Sequence, residues 1–77
     1  MDFKKTTDDL FSAVTHDDLA QALGVSVALI RQARLDASAK ARRTPPKGWQ
    51  KAALRLARAR VRHFESLSRR LQAASRE

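Results

Sequence analysis

Apolar residues in the first part of the chain recur at intervals of three and four, which is the spacing of one face of a helix. A threonine followed three residues later by an acid predicts the start of a helix, and this pattern begins at Thr6 and again at Thr15. We therefore expect a first helix over about 7–14 and a second over about 16–23. Gly24 is expected to end the second helix, because glycine adopts the left-handed closing conformation at least cost.

The remainder of the chain predicts two further helices. Ser26 is a favourable N-cap for a third helix over about 27–37. A basic, alanine-rich linker over 38–46 ends in two prolines, and Pro46 is expected to open a fourth helix because proline fits a first helical turn. Nothing interrupts the helical pattern from Trp49 to about Ala74, and this long carboxyl-terminal helix is assigned to 47–75.

The predicted fold class is all-α, with four helices in a single domain over residues 1–77. A helix-turn-helix core over 6–37 precedes the linker and the long last helix. A chain of 77 residues buries only about 60% of its unfolded surface, so a monomer of this size would have marginal stability. The sequence contains no cysteine, which excludes disulfide bonds and thiolate metal sites.

The charge is strongly positive and unevenly distributed. The formal net charge is +8, with −3 in residues 1–25, +5 in 26–48 and +6 in 49–77. The basic residues begin where the third helix begins, whereas a merely solvated coat would mix the two signs. This distribution predicts a polyanionic partner, with nucleic acid favoured over an anionic membrane surface.

The segment 16–35 carries the features that two closely packed helices with a short turn require. Ala20 is small enough to let the second helix cross close to the first, and Gly24 allows a tight turn. The apolar positions expected to pin both helices to the core are Leu19, Leu23, Val25, Ile30 and Ala33. With these small, turn and apolar positions, the segment resembles the helix-turn-helix of Cro/repressor-type (λ-repressor-like, XRE-like) DNA-binding regulators.

The resemblance implies that the exposed face of the third helix enters the major groove of duplex DNA. The residues expected to contact bases are Val27, Ala28, Arg31, Gln32 and Leu35. The residues expected to contact phosphates are Ser26, Arg34, Lys40, Arg42 and Arg43. Many relatives carry polar residues where this chain has Val27 and Ala28, so the DNA sequence that it would bind stays open. At 100° per residue, Ile30, Ala33 and Ala37 are expected to face inward.

The fourth helix carries an apolar seam with heptad-like spacing. Its positions are Leu54, Ala57, Val61, Phe64, Ser68 and Leu71. The second half of this helix is expected to project beyond the small core, and its apolar face then calls for a partner. We expect a homodimer whose interface includes Val61, Phe64, Leu67 and Leu71.

These observations predict a sequence-specific transcriptional regulator that binds an inverted repeat in double-stranded DNA as a homodimer. A repressor is favoured, with autoregulation as in compact phage or mobile-element regulators. One alternative is a sequence-independent, nucleoid-type architectural DNA-binding protein. Another is a small antitoxin-like DNA-binding subunit that holds a protein partner on its last helix.

Other classes of function find little support in the sequence. The two histidines, His16 and His63, fit structural roles, and neither a glycine-rich phosphate loop nor a metal-ligand spacing is present. We therefore expect no catalytic residue, no cofactor, no metal and no small-molecule ligand. The longest uncharged stretch, Leu19–Ile30, is too short to cross a bilayer, so no membrane role and a cytoplasmic, nucleoid-associated location are expected.

Overall fold

A computed structural model describes residues 2–76 of the chain. Within this part the chain forms four helices and no strand, so the expected all-α class is confirmed. The helices are α1 (Phe3–Leu10), α2 (His16–Leu23), α3 (Val27–Ala33) and α4 (Trp49–Ser75). The molecule is elongated, with principal extents of 57 × 21 × 20 Å. None of the described helices is both long and apolar enough to cross a membrane.

Local capping interactions determine the bounds of α2, which are the predicted ones. The Thr15 hydroxyl accepts from the Asp18 N–H at 3.0 Å, while the Asp18 carboxylate accepts from the Thr15 N–H at 2.9 Å. Gly24 closes the helix with a φ of 67°, in the left-handed region that favours glycine. The Val25 N–H then donates to the Ala20 carbonyl at 3.0 Å, which completes a Schellman closure.

The first helix begins and ends earlier than predicted. Its N-cap is Asp2, whose carboxylate accepts from the Lys4 N–H at 2.8 Å, so the helix covers Phe3–Leu10 and not 7–14. Thr7 therefore lies inside the helix, where its hydroxyl is buried and donates to the Phe3 carbonyl at 2.7 Å. The predicted N-cap role of Thr6 is wrong, because Asp2 caps the helix four residues earlier and Thr6 lies inside it.

The third helix also ends earlier than predicted, at Ala33 and not at residue 37. The Asp36 carboxylate accepts from the Ser38 N–H at 3.2 Å, and the Asp36 carbonyl accepts from the Ala39 N–H at 2.9 Å. These local bonds favour a turn over continued helix. Ala37 therefore lies outside the helix and is exposed, and its expected place on the inner face is wrong.

The long helix α4 begins at Trp49, three residues after the predicted Pro46. Its N-cap is Gly48, with a φ of 82°, another left-handed position that favours glycine. The Trp49 N–H donates to the Pro46 carbonyl at 3.2 Å, so Pro46 lies in the turn before the helix. The helix then runs without a break to Ser75, as the sequence predicted to within one residue.

All four helices contribute to one small core. Leu19 and Ile30 are fully buried, and Ala20 and Ala33 are buried in the same cluster. The other two helices close the core through Phe3 and Trp49. Leu23 and Val25 pack against this cluster, so the apolar positions predicted for the helix-turn-helix segment do line or border the core.

Only the first part of α4 packs against the rest of the molecule. Trp49, Ala52 and Ala53 are buried, and Leu56 packs beside them. Further along, Arg60 lies 3.7 Å from the Asp18 carboxylate. No residue in 61–75 is buried, so these last turns, about 22 Å of helix at 1.5 Å per residue, project from the core.

The core assignment predicts a contrast between two leucines. We expect Leu19→Ala to lower the free energy of unfolding by about 2–5 kcal/mol, because it removes a fully buried side chain and leaves a cavity. The matched change Leu35→Ala, at a side chain that is 40% exposed, is expected to cost less than about 0.5 kcal/mol. Urea unfolding followed by circular dichroism measures both, and equal losses would contradict this core.

Candidate nucleic-acid interface

The predicted base-contacting residues divide into two groups. Ala28, Arg31 and Leu35 are exposed on and just after α3, on the side away from the buried Ile30 and Ala33. The other two predicted residues are less accessible. Val27 is half-buried and packs against the core, and Gln32 is half-buried as well.

The linker returns to the end of α3 and places basic residues beside it. The Arg43 N–H donates to the Gln32 carbonyl at 3.2 Å, so the linker is attached to the last turn of α3. Lys40, Arg42 and Arg43 are all exposed on this linker. Ser26 is exposed at the other end of α3, where its hydroxyl accepts from the Leu29 N–H at 3.1 Å. Three cations and the exposed face of α3 therefore lie on neighbouring segments.

Arg34 occupies a different environment from the other predicted phosphate residues. Its guanidinium is directed inward and only 19% of the side chain is exposed. The Nε–H donates to the Thr7 hydroxyl at 3.0 Å, and a terminal nitrogen donates to His16 at the same distance. The second terminal nitrogen pairs with the Asp8 carboxylate. These contacts connect α1, α2 and the end of α3, so a phosphate would have to displace existing partners of Arg34.

An aromatic contact completes this cluster. The rings of Phe11 and His16 are stacked with centroids 3.9 Å apart, and the Arg34 guanidinium lies 5.0 Å from the centroid of the Phe11 ring. An arginine is only a donor, so His16 Nε2 must be the acceptor and the ring proton must lie on Nδ1. His16 is therefore neutral in the arrangement that the structure shows.

The same surroundings shift the ionisation of two side chains. Burial, together with the positive charges of Arg34 and Arg31, lowers the pKa of His16 below its ordinary value of 6.5. The Lys4 ammonium, which donates to Asp8 at 2.7 Å, holds the pKa of that carboxyl below its ordinary value of 3.8, and Arg34 acts in the same direction. The lowered pKa values favour a neutral His16 and an ionised Asp8, which are the forms that the contacts with Arg34 require.

This cluster was not among the predicted sites, although one pattern in the sequence does indicate it. A helical spacing that includes a threonine at an inward position connects Phe3, Thr7, Leu10, Phe11 and Val14. A polar residue on an inward face requires a hydrogen-bond partner, and Arg34 supplies one. Which of the arginines does so was not evident, because Thr7 and Arg34 are 27 residues apart.

The predicted dimer residues lie on the projecting part of α4. Val61 and Phe64 are each 54% exposed and Leu71 is 60% exposed, while Leu67 is half-buried. Leu54 is 48% exposed, so the apolar seam is open along its full length. Beside its first part lies an apolar groove of about 350 Å³ between α1 and α4. Its lining includes Leu10 from α1 and Trp49, Ala53, Leu54 and Ala57 from α4.

Comparisons with known proteins leave the function to be argued from this geometry. No family model, no curated protein and no solved structure matches the chain. Among residues 2–76, no cluster of His, Asp and Glu is arranged to hold a metal ion.

The environment of Arg34 predicts a structural role that the linker cations do not share. We expect Arg34→Ala to lower the free energy of unfolding by about 1–3 kcal/mol, because it removes charged hydrogen bonds to the buried Thr7 and the half-buried His16. The control Arg42→Ala, at an exposed linker position, is expected to change it by less than about 0.5 kcal/mol. Denaturant unfolding tests both, and an unchanged Arg34→Ala variant would refute the structural role.

The lowered pKa of His16 predicts a loss of stability in mild acid. As the pH falls below 6.5, the unfolded chain binds a proton at His16 before the folded chain does, so the free energy of unfolding decreases until the folded pKa is passed. Above pH 6.5 the residue is neutral in both states and contributes nothing. Thermal unfolding between pH 5 and 8 measures this slope. His16→Gln should remove it and His63→Gln, at an exposed position, should retain it.

Proposed function

We propose that this protein is a sequence-specific, double-stranded DNA-binding regulator, most simply a repressor, that acts as a homodimer on an inverted repeat. Each α3 would enter the major groove of one half-site, with the half-sites about 34–36 Å apart, one turn of DNA. The proposal extends to location, since such a protein would act in the cytoplasm on the nucleoid.

The observation that carries this proposal is the attachment of the basic linker to α3. The bond from the Arg43 N–H to the Gln32 carbonyl holds exposed cations next to an exposed helix face. Phosphate contacts position a protein on DNA while base contacts supply specificity, and both kinds of group are needed side by side. The phosphate contacts are assigned to the exposed linker cations Lys40, Arg42 and Arg43. The base contact is assigned to Arg31, which can donate two hydrogen bonds to a guanine.

The partial burial of two predicted base-contacting residues favours a second candidate function. With Val27 packed against the core and Gln32 half-buried, Arg31 is the charged side chain that α3 presents outward, beside Ala28 and Leu35. Apolar side chains contact thymine methyl groups but carry less information than a full set of polar contacts. An architectural protein that binds DNA through its backbone, with little sequence preference, is the alternative to test.

One selection experiment separates the two candidates. The protein is incubated with random duplex DNA at about 150–200 mM salt, where phosphate-only binding is weakened, and the bound fragments are sequenced. Recovery of one inverted-repeat motif supports the sequence-specific regulator. Binding without a motif that disappears as salt is raised would overturn it in favour of the architectural protein.

The role of Arg31 gives a sharper expectation for the selected site. Arg31→Ala should weaken specific binding by about 1–3 kcal/mol and relax the preference at one base position. The matched control Arg70→Ala removes the same charge from the projecting part of α4 and should leave the base preference unchanged. Fluorescence anisotropy with the selected site and single-base variants measures both, and an unaltered preference in Arg31→Ala would remove this residue from the interface.

A further inference from the structure

The apolar seam of α4 and the groove beside it form one continuous open surface. The seam residues Leu54, Val61, Phe64 and Leu71 are each about half exposed or more. Leu54 also lines the apolar groove that Leu10 borders on the side of α1. A single helix is the shape that fits both a heptad seam and a groove between two helices.

We propose that the occupant of this surface is the α4 helix of a second copy, lying antiparallel to the first. The inference deepens the dimer in the proposed function by giving its orientation and register. In this register Leu54 lies opposite the partner's Leu71, Ala57 opposite the partner's Ser68, and Val61 opposite the partner's Phe64. The two-fold symmetry repeats each contact, so every position of the seam is covered once.

Residue sizes along the seam agree with this register. The large Phe64 meets the smaller Val61 of the partner, and Ala57 meets Ser68, so two small residues face one another between the larger pairs and let the helices approach closely there. The partner's Leu71 reaches Leu54 at the edge of the groove of about 350 Å³. A parallel pair would instead place each residue against its own copy, including Phe64 against Phe64.

The charges beside the seam are complementary in the same register. Arg58 follows the seam residue Ala57 and Glu65 follows Phe64, so Arg58 and the partner's Glu65 flank the seam on the same side, diagonally next to each other. The symmetry produces this pair twice, with no like charges paired at the equivalent flanking positions. A parallel pair would use Arg60 with Glu65, but Arg60 already lies 3.7 Å from the Asp18 carboxylate of its own chain. Arg58 forms no ion pair within residues 2–76 and remains available.

The antiparallel pairing also separates the two folded cores. Ala53 of one chain and the partner's Ala53 would be about 28 Å apart along the paired helices at 1.5 Å per residue. This separation is of the same order as the turn of DNA, about 34 Å, that the proposed inverted repeat requires. Parallel pairing would bring both cores to the same end of the helices.

Cysteine cross-linking tests the orientation directly, because the natural chain has no cysteine. Three variants are compared without DNA under mild oxidation: Leu54→Cys, Leu71→Cys and the double variant. Both leucines are exposed, so the substitutions leave the core intact. We expect the double variant to form a covalent dimer on a non-reducing gel, while each single variant stays largely uncross-linked. A covalent dimer from Leu54→Cys alone, or none from the double variant, would overturn the antiparallel register.

A charge exchange supplies a second test that needs no cysteine. Arg58→Glu and Glu65→Arg should each weaken dimerisation about tenfold in analytical ultracentrifugation, and the double variant should restore it. The control Arg55→Glu makes the same charge change away from the seam and should have little effect. Failure of the double variant to recover would refute the Arg58–Glu65 pairing.

Neither test involves DNA, so failure of the dimer model and failure of the proposed DNA-binding function are distinguishable. A chain that cross-links as expected but selects no DNA motif retains the inference and loses the function. A chain that selects an inverted repeat but cross-links through Leu54→Cys alone retains the proposed DNA-binding function and loses the antiparallel dimer.

Discussion

The edge-on contact between Phe3 and Trp49 holds the two ends of the core together. Their ring centroids lie 4.9 Å apart with an interplanar angle of 86°, a favourable geometry for an aromatic pair. The contact places the start of α4 against α1, and both helices then cover Leu19 and Ile30. Three short helices alone would leave that cluster open to water, so the long helix is part of the domain and not an appendage to it.

Closure of the core in this way leaves two surfaces unused. The outer side of α3 faces away from the cluster, and the last turns of α4 extend past it. The proposed functions are assigned to these surfaces: DNA to α3 and a second copy to α4. A protein partner of the antitoxin-like kind would compete with the second copy for the same apolar seam, so dimerisation and capture of that partner would exclude one another.

Positive charge alone does not show which basic residues of this chain are free to contact a partner and which bind within the fold. Arg31 and Arg34 are three residues apart at the end of α3, yet one is exposed and the other is held by Thr7, His16 and Asp8. The net charge of +8 is the basis for proposing a polyanionic partner. The cations available to that partner become evident only after those that stabilise the fold have been set aside.

The sequence by itself determined the all-α class, the bounds of α2, the uninterrupted course of α4 and the apolar positions of α2 and α3 that line or border the core. These features depend on bonds between residues three or four apart, such as the Thr15–Asp18 capping box, and on helical periodicity. Only the tertiary structure decided that Thr7 is buried and that Arg34 binds Thr7 and Asp8 of α1. It also decided which predicted base-contacting residues stay exposed. The physical reason is that burial depends on neighbours distant in sequence, and local patterns carry no information about which of several similar side chains will meet them.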